Sequence, residues 1–82
     1  MERQEILGKL QNIIENDMFI DLPNDELSED HDMFDDLEFD DLDRIEFLLN
    51  LEKEFDLSID DEEFDRFTTI GEVISYLEKY GV

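Results

Sequence analysis

The sequence predicts an all-α fold, a small four-helix bundle of three longer helices and one short one. Three observations predict it. Apolar residues return at helical spacing in three separate stretches. Two of those stretches begin with residues that cap helix starts, Asp40-Asp41 and Thr69-Ile70-Gly71-Glu72. Hydrophobic residues make up 40% of the chain, with seven Phe, so a core forms despite a formal net charge of −21.

The first helix runs from Arg3 to about Asp17. Ile6, Leu7, Leu10, Ile13 and Ile14 fall on one stripe, while Glu2, Glu5, Lys9 and Gln11 take other faces. Gly8 costs this helix roughly 1 kcal/mol against Ala; it either allows close packing or is simply tolerated. From Met18 to Phe39 the period is lost. Met18, Phe19, Ile20, Leu22, Leu27, Met33, Phe34 and Leu37 are too apolar for a free linker. They predict a loop pinned to the core at several points, with one helical turn around Asn24 to Leu27.

The second helix is capped by Asp40 or Asp41 and runs to about Phe55. Leu42, Ile45, Leu48, Leu49, Leu51 and Phe55 form a broad apolar face, which suits a central helix with two or three neighbours. Asp43, Glu46, Asn50 and Lys53 lie on the other side. Leu57 and Ile59 point inward from a short connection. Asp60 to Phe67 forms a helix of one or two turns anchored by Phe64 and Phe67. Ile70 to about Tyr80 is the last helix, with Ile70, Val73, Ile74 and Leu77 inward and Gly81 as its stop. The aromatic residues fall mostly at core spacing; Phe39 is the exception, expected at the surface beside Asp41.

Eighty-two residues make one domain, 1–82, with a modest core. No cysteine is present, so neither a disulfide nor a thiolate metal site supports it. No apolar run approaches the ~20 residues that span a bilayer, and the N-terminus lacks the layout of a signal peptide. The expected setting is soluble and cytoplasmic. Against 27 Asp and Glu stand 6 Lys and Arg. DNA, RNA and anionic membranes are excluded as expected ligands, because binding them needs positive charge. A basic protein surface is the natural complement. Crowded carboxylates are expected to raise one another's pKa, so that stability falls as pH rises through their titration, and salt is expected to stabilise the fold.

Candidate chemistry is sparse. The acidic run from Asp30 to Asp43 fails the calcium-loop pattern: starting at Asp36, the sixth position is Asp41 rather than Gly and the twelfth is Phe47 rather than Glu. His31, the only histidine, has no second His or any Cys beside it for zinc, and no nucleophile motif for hydrolysis. Carboxylates are so frequent that no catalytic pair stands out. No metal and no enzyme activity are expected.

From Met33 to Tyr80 the sequence resembles the acyl carrier protein family, the small acidic four-helix carriers of fatty-acid and polyketide synthesis. Where the family pattern is Leu-Gly-x-Asp-Ser-Leu, the corresponding residues here are Leu37-Glu38-Phe39-Asp40-Asp41-Leu42, which depart from it at Glu38 and Asp41. Asp43, Ile45-Glu46, Leu51-Glu52-Lys53-Glu54-Phe55, Ile59-Asp60-Asp61-Glu62-Glu63, Thr68-Thr69-Ile70 and Tyr76-Leu77 continue it without a gap. The first helix matches in pattern only, and the loop after it is longer than usual.

The resemblance implies a non-catalytic carrier whose serine at the start of the second helix holds a 4′-phosphopantetheine arm. Here that position is Asp41, which has no hydroxyl to form a phosphodiester; the expected cofactor is therefore none, and phosphopantetheine only if residue 41 were serine. Either a natural homologue has lost the arm, or a serine was deliberately replaced in an ordinary carrier; the altered loop residue Glu38 favours the first. The resemblance also implies that Asp40, Asp43, Glu46, Glu52, Asp61 and Glu62 face the basic surfaces of acyl-carrier-dependent enzymes or of a dedicated partner protein, the chain being monomeric. Arg44 and Lys53 put positive charge on or beside this face. From a different class, the charge alone suggests an acidic mimic or inhibitor occupying a partner's basic surface.

Overall fold

The computed structural model describes residues 1–82. Helix α1 spans Arg3–Asn12, and at its start the Glu5 carboxylate accepts from the Glu2 amide at 3.5 Å. It passes into a wider π-helical turn, Ile13–Asp17, closed by the Met18 amide on the Ile13 carbonyl at 2.9 Å. Together they cover the stretch expected as one helix, and Ile6, Leu10, Ile13 and Ile14 are buried along it. A short 3-10 turn follows at Pro23–Asp25.

Helix α2 is Asp41–Phe55, α3 is Asp61–Phe64 and α4 is Ile70–Lys79. Asp40 and Asp43 cap α2, Asp60 caps α3, and Thr69 with Glu72 caps α4. The three longer helices and one short helix make the expected all-α bundle. Twenty buried apolar residues form one core.

Edge-on and tilted aromatic rings join the later helices. Phe39 meets Phe47 of α2 at 5.5 Å, Phe47 meets Phe64 of α3 at 6.3 Å, and Phe67 meets Tyr76 of α4 at 5.3 Å. Such pairs contribute beyond their buried area. They hold a helix of only four residues, too short to persist alone, in a fixed place.

The long connection is pinned, as its apolar content predicts, at Met18, Leu22, Leu27, Met33 and Leu37. Phe19 and Phe34 are not part of this pinning and stay exposed. Backbone bonds tie the loop to the start of α4: Met33 N–H to Thr68 O at 2.7 Å, Ile70 N–H to His31 O at 3.0 Å, and Gly71 N–H to Glu29 O at 2.9 Å. Arg3 adds a side-chain tie, donating to Glu29, Ser75, Glu78 and the Gly71 carbonyl.

Two expectations are corrected. Phe39 is buried, not at the surface: its amide reaches the Met33 carbonyl at 2.9 Å and the turn swings its ring onto Phe47. The carboxylates that move clearly from their ordinary value, Glu29 and Glu72, move down. Hydrogen bonding to Arg3 lowers Glu29, and the amides of Thr68 and Thr69 lower Glu72. Local donors outweigh the general repulsion at these two places.

Candidate functional site

The apolar face of α2 divides in two. Phe47, Leu48 and Leu51 are buried and Phe55 is half-buried. Leu42, Ile45 and Leu49 are instead exposed, at 62%, 44% and 58%. The expectation that this broad apolar face is covered by neighbouring elements is therefore corrected for these three. The cause is geometric: apolar residues occupy a wider arc of the helix than its neighbours cover. Leu42, Ile45 and Leu49, at i, i+3 and i+7, form one outward stripe.

Asp40 occupies the cap itself. Its carboxylate accepts from the Asp43 amide at 2.8 Å, and Asp43 accepts from the Asp40 amide at 3.1 Å. Asp41 is thus the first helical residue rather than the cap, and it is exposed. Its carboxylate is not used to close the helix end. Glu38, just before it, has φ +58°. That left-handed conformation favours glycine, which gives a physical reason for a Gly at this loop position and makes Glu38 a strained occupant.

The acids expected to meet a partner do not form one cluster. Glu46, Asp61 and Glu62 are exposed, whereas the Glu52 carboxylate is engaged by the Ile59 amide at 2.9 Å. Between α2 and α3 lies an open groove of about 620 Å³ whose lining includes Ile45, Leu48, Leu49, Ile59, Glu52 and Asp61. Arg44 pairs with Asp65 across it at 2.5 Å and is largely covered. This pair was not anticipated from sequence, since nothing local links residues 44 and 65. It removes Arg44 from the free charge of the outward stripe; Lys53 stays exposed.

Hydroxyls lie elsewhere. Ser75 accepts from Arg3, Ser28 accepts from the Asp30 amide, and Thr68 and Thr69 bond to Glu72. Ser58 is exposed in the α2–α3 connection. No set of three His, Asp or Glu side chains comes together to hold a metal ion, and His31 is committed locally, its Nδ1 accepting from the Ser28 amide at 3.0 Å.

A family profile described as "phosphopantetheine attachment site" matches residues 8–77. The acyl carrier protein of Thermotoga maritima is 32% identical over 77 residues, covering 94% of this chain and 93% of its own. That of Bdellovibrio bacteriovorus is 38% identical over 73 residues, covering 89% and 91%. The chain belongs to the acyl carrier protein family. A solved acyl carrier protein from Enterococcus faecalis, studied for its high thermal stability, superposes with a TM-score of 0.75 at 34% identity, covering 96% of this chain and 98% of that one.

Acyl carrier proteins are non-catalytic carriers, and this chain is not an enzyme. Family membership also associates it with phosphopantetheine carriage and with the enzymes of fatty-acid synthesis that such carriers meet. Phosphopantetheine is held through a phosphodiester, which needs a hydroxyl. The side chain at the exposed start of α2, Asp41, is a carboxylate and carries no hydroxyl. No helix is long and apolar enough to cross a membrane.

Proposed function

We propose that this chain keeps the docking role of an acyl carrier and has given up the arm. In this reading Asp41 stands at the attachment position and is not phosphopantetheinylated. The observation that carries it is the division of labour at the start of α2. Asp40 and Asp43 satisfy the helix end between themselves, so Asp41 is left facing solvent with no hydroxyl to accept the group.

The outward stripe Leu42, Ile45 and Leu49, bordered by Asp40, Asp43, Glu46, Glu52, Asp61 and Glu62, is the surface offered to a partner. It suits an apolar pocket with a basic rim, as on acyl-carrier-dependent enzymes of fatty-acid or polyketide-type metabolism. A mimic of nucleic acid would need charge but not this apolar stripe, which is why the carrier-like reading is preferred over a general acidic inhibitor. The reading keeps the chain monomeric, since copies each carrying −21 repel, and places it in the cytoplasm, where a chain without cysteine needs no oxidising environment.

The test is intact-mass measurement after co-expression with a phosphopantetheinyl transferase. The native chain is expected at its unmodified mass. An added arm on the native chain would overturn the proposal.

A further inference from the structure

Phe19 is 86% exposed, more than any other large apolar side chain of the molecule. Its backbone is also unusual, with φ +58°. It follows the π-helical turn, and the next amide, that of Ile20, reaches back to the Ile14 carbonyl at 3.0 Å. This is the left-handed stop that ends a helix, a place taken most readily by Gly or Asn. The other non-glycine residues with positive φ are Asn24, Asp25 and Asp56, whose short polar side chains tolerate it, and Glu38. A bulky aromatic in that conformation is an outlier. The ring does not repay the strain by entering the core.

What the ring does have is a place beside α2. It shares a surface cleft with Asn50, Lys53 and Glu54. Lys53, expected from sequence on the opposite face, stands one turn beyond Leu49 on the same side of the helix, so the cleft continues the stripe Leu42–Ile45–Leu49. From Leu42 to Lys53 the stripe extends ~16 Å along the helix axis, within the footprint of one standard protein interface. Asp17 and Glu54 line the cleft at its far end. Lys53 is the exposed cation there, and Glu54 is shared with Lys9 at 3.2 Å.

We infer that Phe19 is a second anchor of the partner-docking face, entering an apolar pocket on a basic-rimmed acyl-carrier-dependent enzyme. This rests on the reading of the α2 stripe as that face. Continuity with the stripe and the acidic border select such a partner over a second copy of this chain, which would bring like charge. A strained, exposed aromatic is accounted for by a bound state in which it is buried, aromatic residues being frequent anchors of such interfaces.

The experiment compares the native chain, Phe19→Gly and Leu49→Gln. Each is titrated calorimetrically against a purified bacterial ketoacyl synthase of fatty-acid synthesis, and each is melted alone. Phe19→Gly is expected to melt no lower than the native chain, since Gly suits the turn, yet to bind about tenfold more weakly. Leu49→Gln weakens binding independently. A lower melting temperature for Phe19→Gly would make the ring a structural element and overturn the inference. So would unchanged affinity for Phe19→Gly while Leu49→Gln binds weakly, which removes Phe19 but leaves the stripe. If neither change matters, or the native chain does not bind, the reading of the α2 face falls with it.

Discussion

Glu38 holds a left-handed backbone conformation, φ +58°, immediately before the helix that defines the functional end. For an L-residue with a Cβ this costs roughly 1–2 kcal/mol, partly offset against glycine by the greater freedom glycine loses on folding. Glu38→Gly is therefore expected to stabilise the fold by about 0.5–1 kcal/mol in urea unfolding, with the turn to Phe39 unchanged. Glu72 makes the opposite kind of contribution. Its carboxylate accepts from the amides of Thr68 and Thr69 and sits below its ordinary value of 4.5. The folded chain thus binds this proton less readily than the unfolded one. The stability it supplies is present above about 4.5 and is lost as pH falls through the lower, folded value. Glu72→Gln, which still suits a capping box, is expected to flatten that acid limb in a melting series from pH 6 to 3. An unchanged limb would show that other carboxylates carry it.

Among the elements, two glycines within helices have opposite expectations. A Cβ at Gly8 meets nothing within 4 Å, so this residue is tolerated and serves no close packing. Gly8→Ala should stabilise α1 by about 1 kcal/mol. At Gly71 a Cβ would lie 3.1 Å from the Glu29 carbonyl oxygen, the acceptor of the Gly71 amide. Gly71→Ala should loosen the loop from α4 and cost about 1 kcal/mol. Chemical unfolding of both variants decides the pair.

The helices themselves were legible because periodicity and cap chemistry are local. Ile70, Val73, Ile74 and Leu77 read as a stripe and are all buried. The split of the α2 face was not legible in the same way. Leu42 and Leu48 look alike in sequence, and only the packing of the neighbouring elements decides which is covered. A face wider than half a helix was the one available signal that some of it would remain outside. Pairs such as Arg44–Asp65 and Arg3–Glu78 were hidden because they join residues far apart in the chain.

For the whole molecule, charge and core oppose each other. Twenty buried apolar side chains hold together a chain of net charge −21, and four ion pairs use only three of its six Lys and Arg. Added salt screens the remaining repulsion, so the melting temperature at pH 7 is expected to rise as sodium chloride is raised from about 10 mM to about 500 mM. A melting temperature independent of salt would mean that the surface acids are already too far apart to repel.

At this same scale, the proposed function holds that the carrier face is kept and the acceptor hydroxyl is lost at Asp41. The most direct test is the intact mass of Asp41→Ser after co-expression with a phosphopantetheinyl transferase. If the recognition face is preserved, the single hydroxyl restores the acceptor and the variant gains the mass of one arm while the native chain does not. An Asp41→Ser chain that stays at its unmodified mass, though folded, would contradict the claim that only the acceptor has been lost.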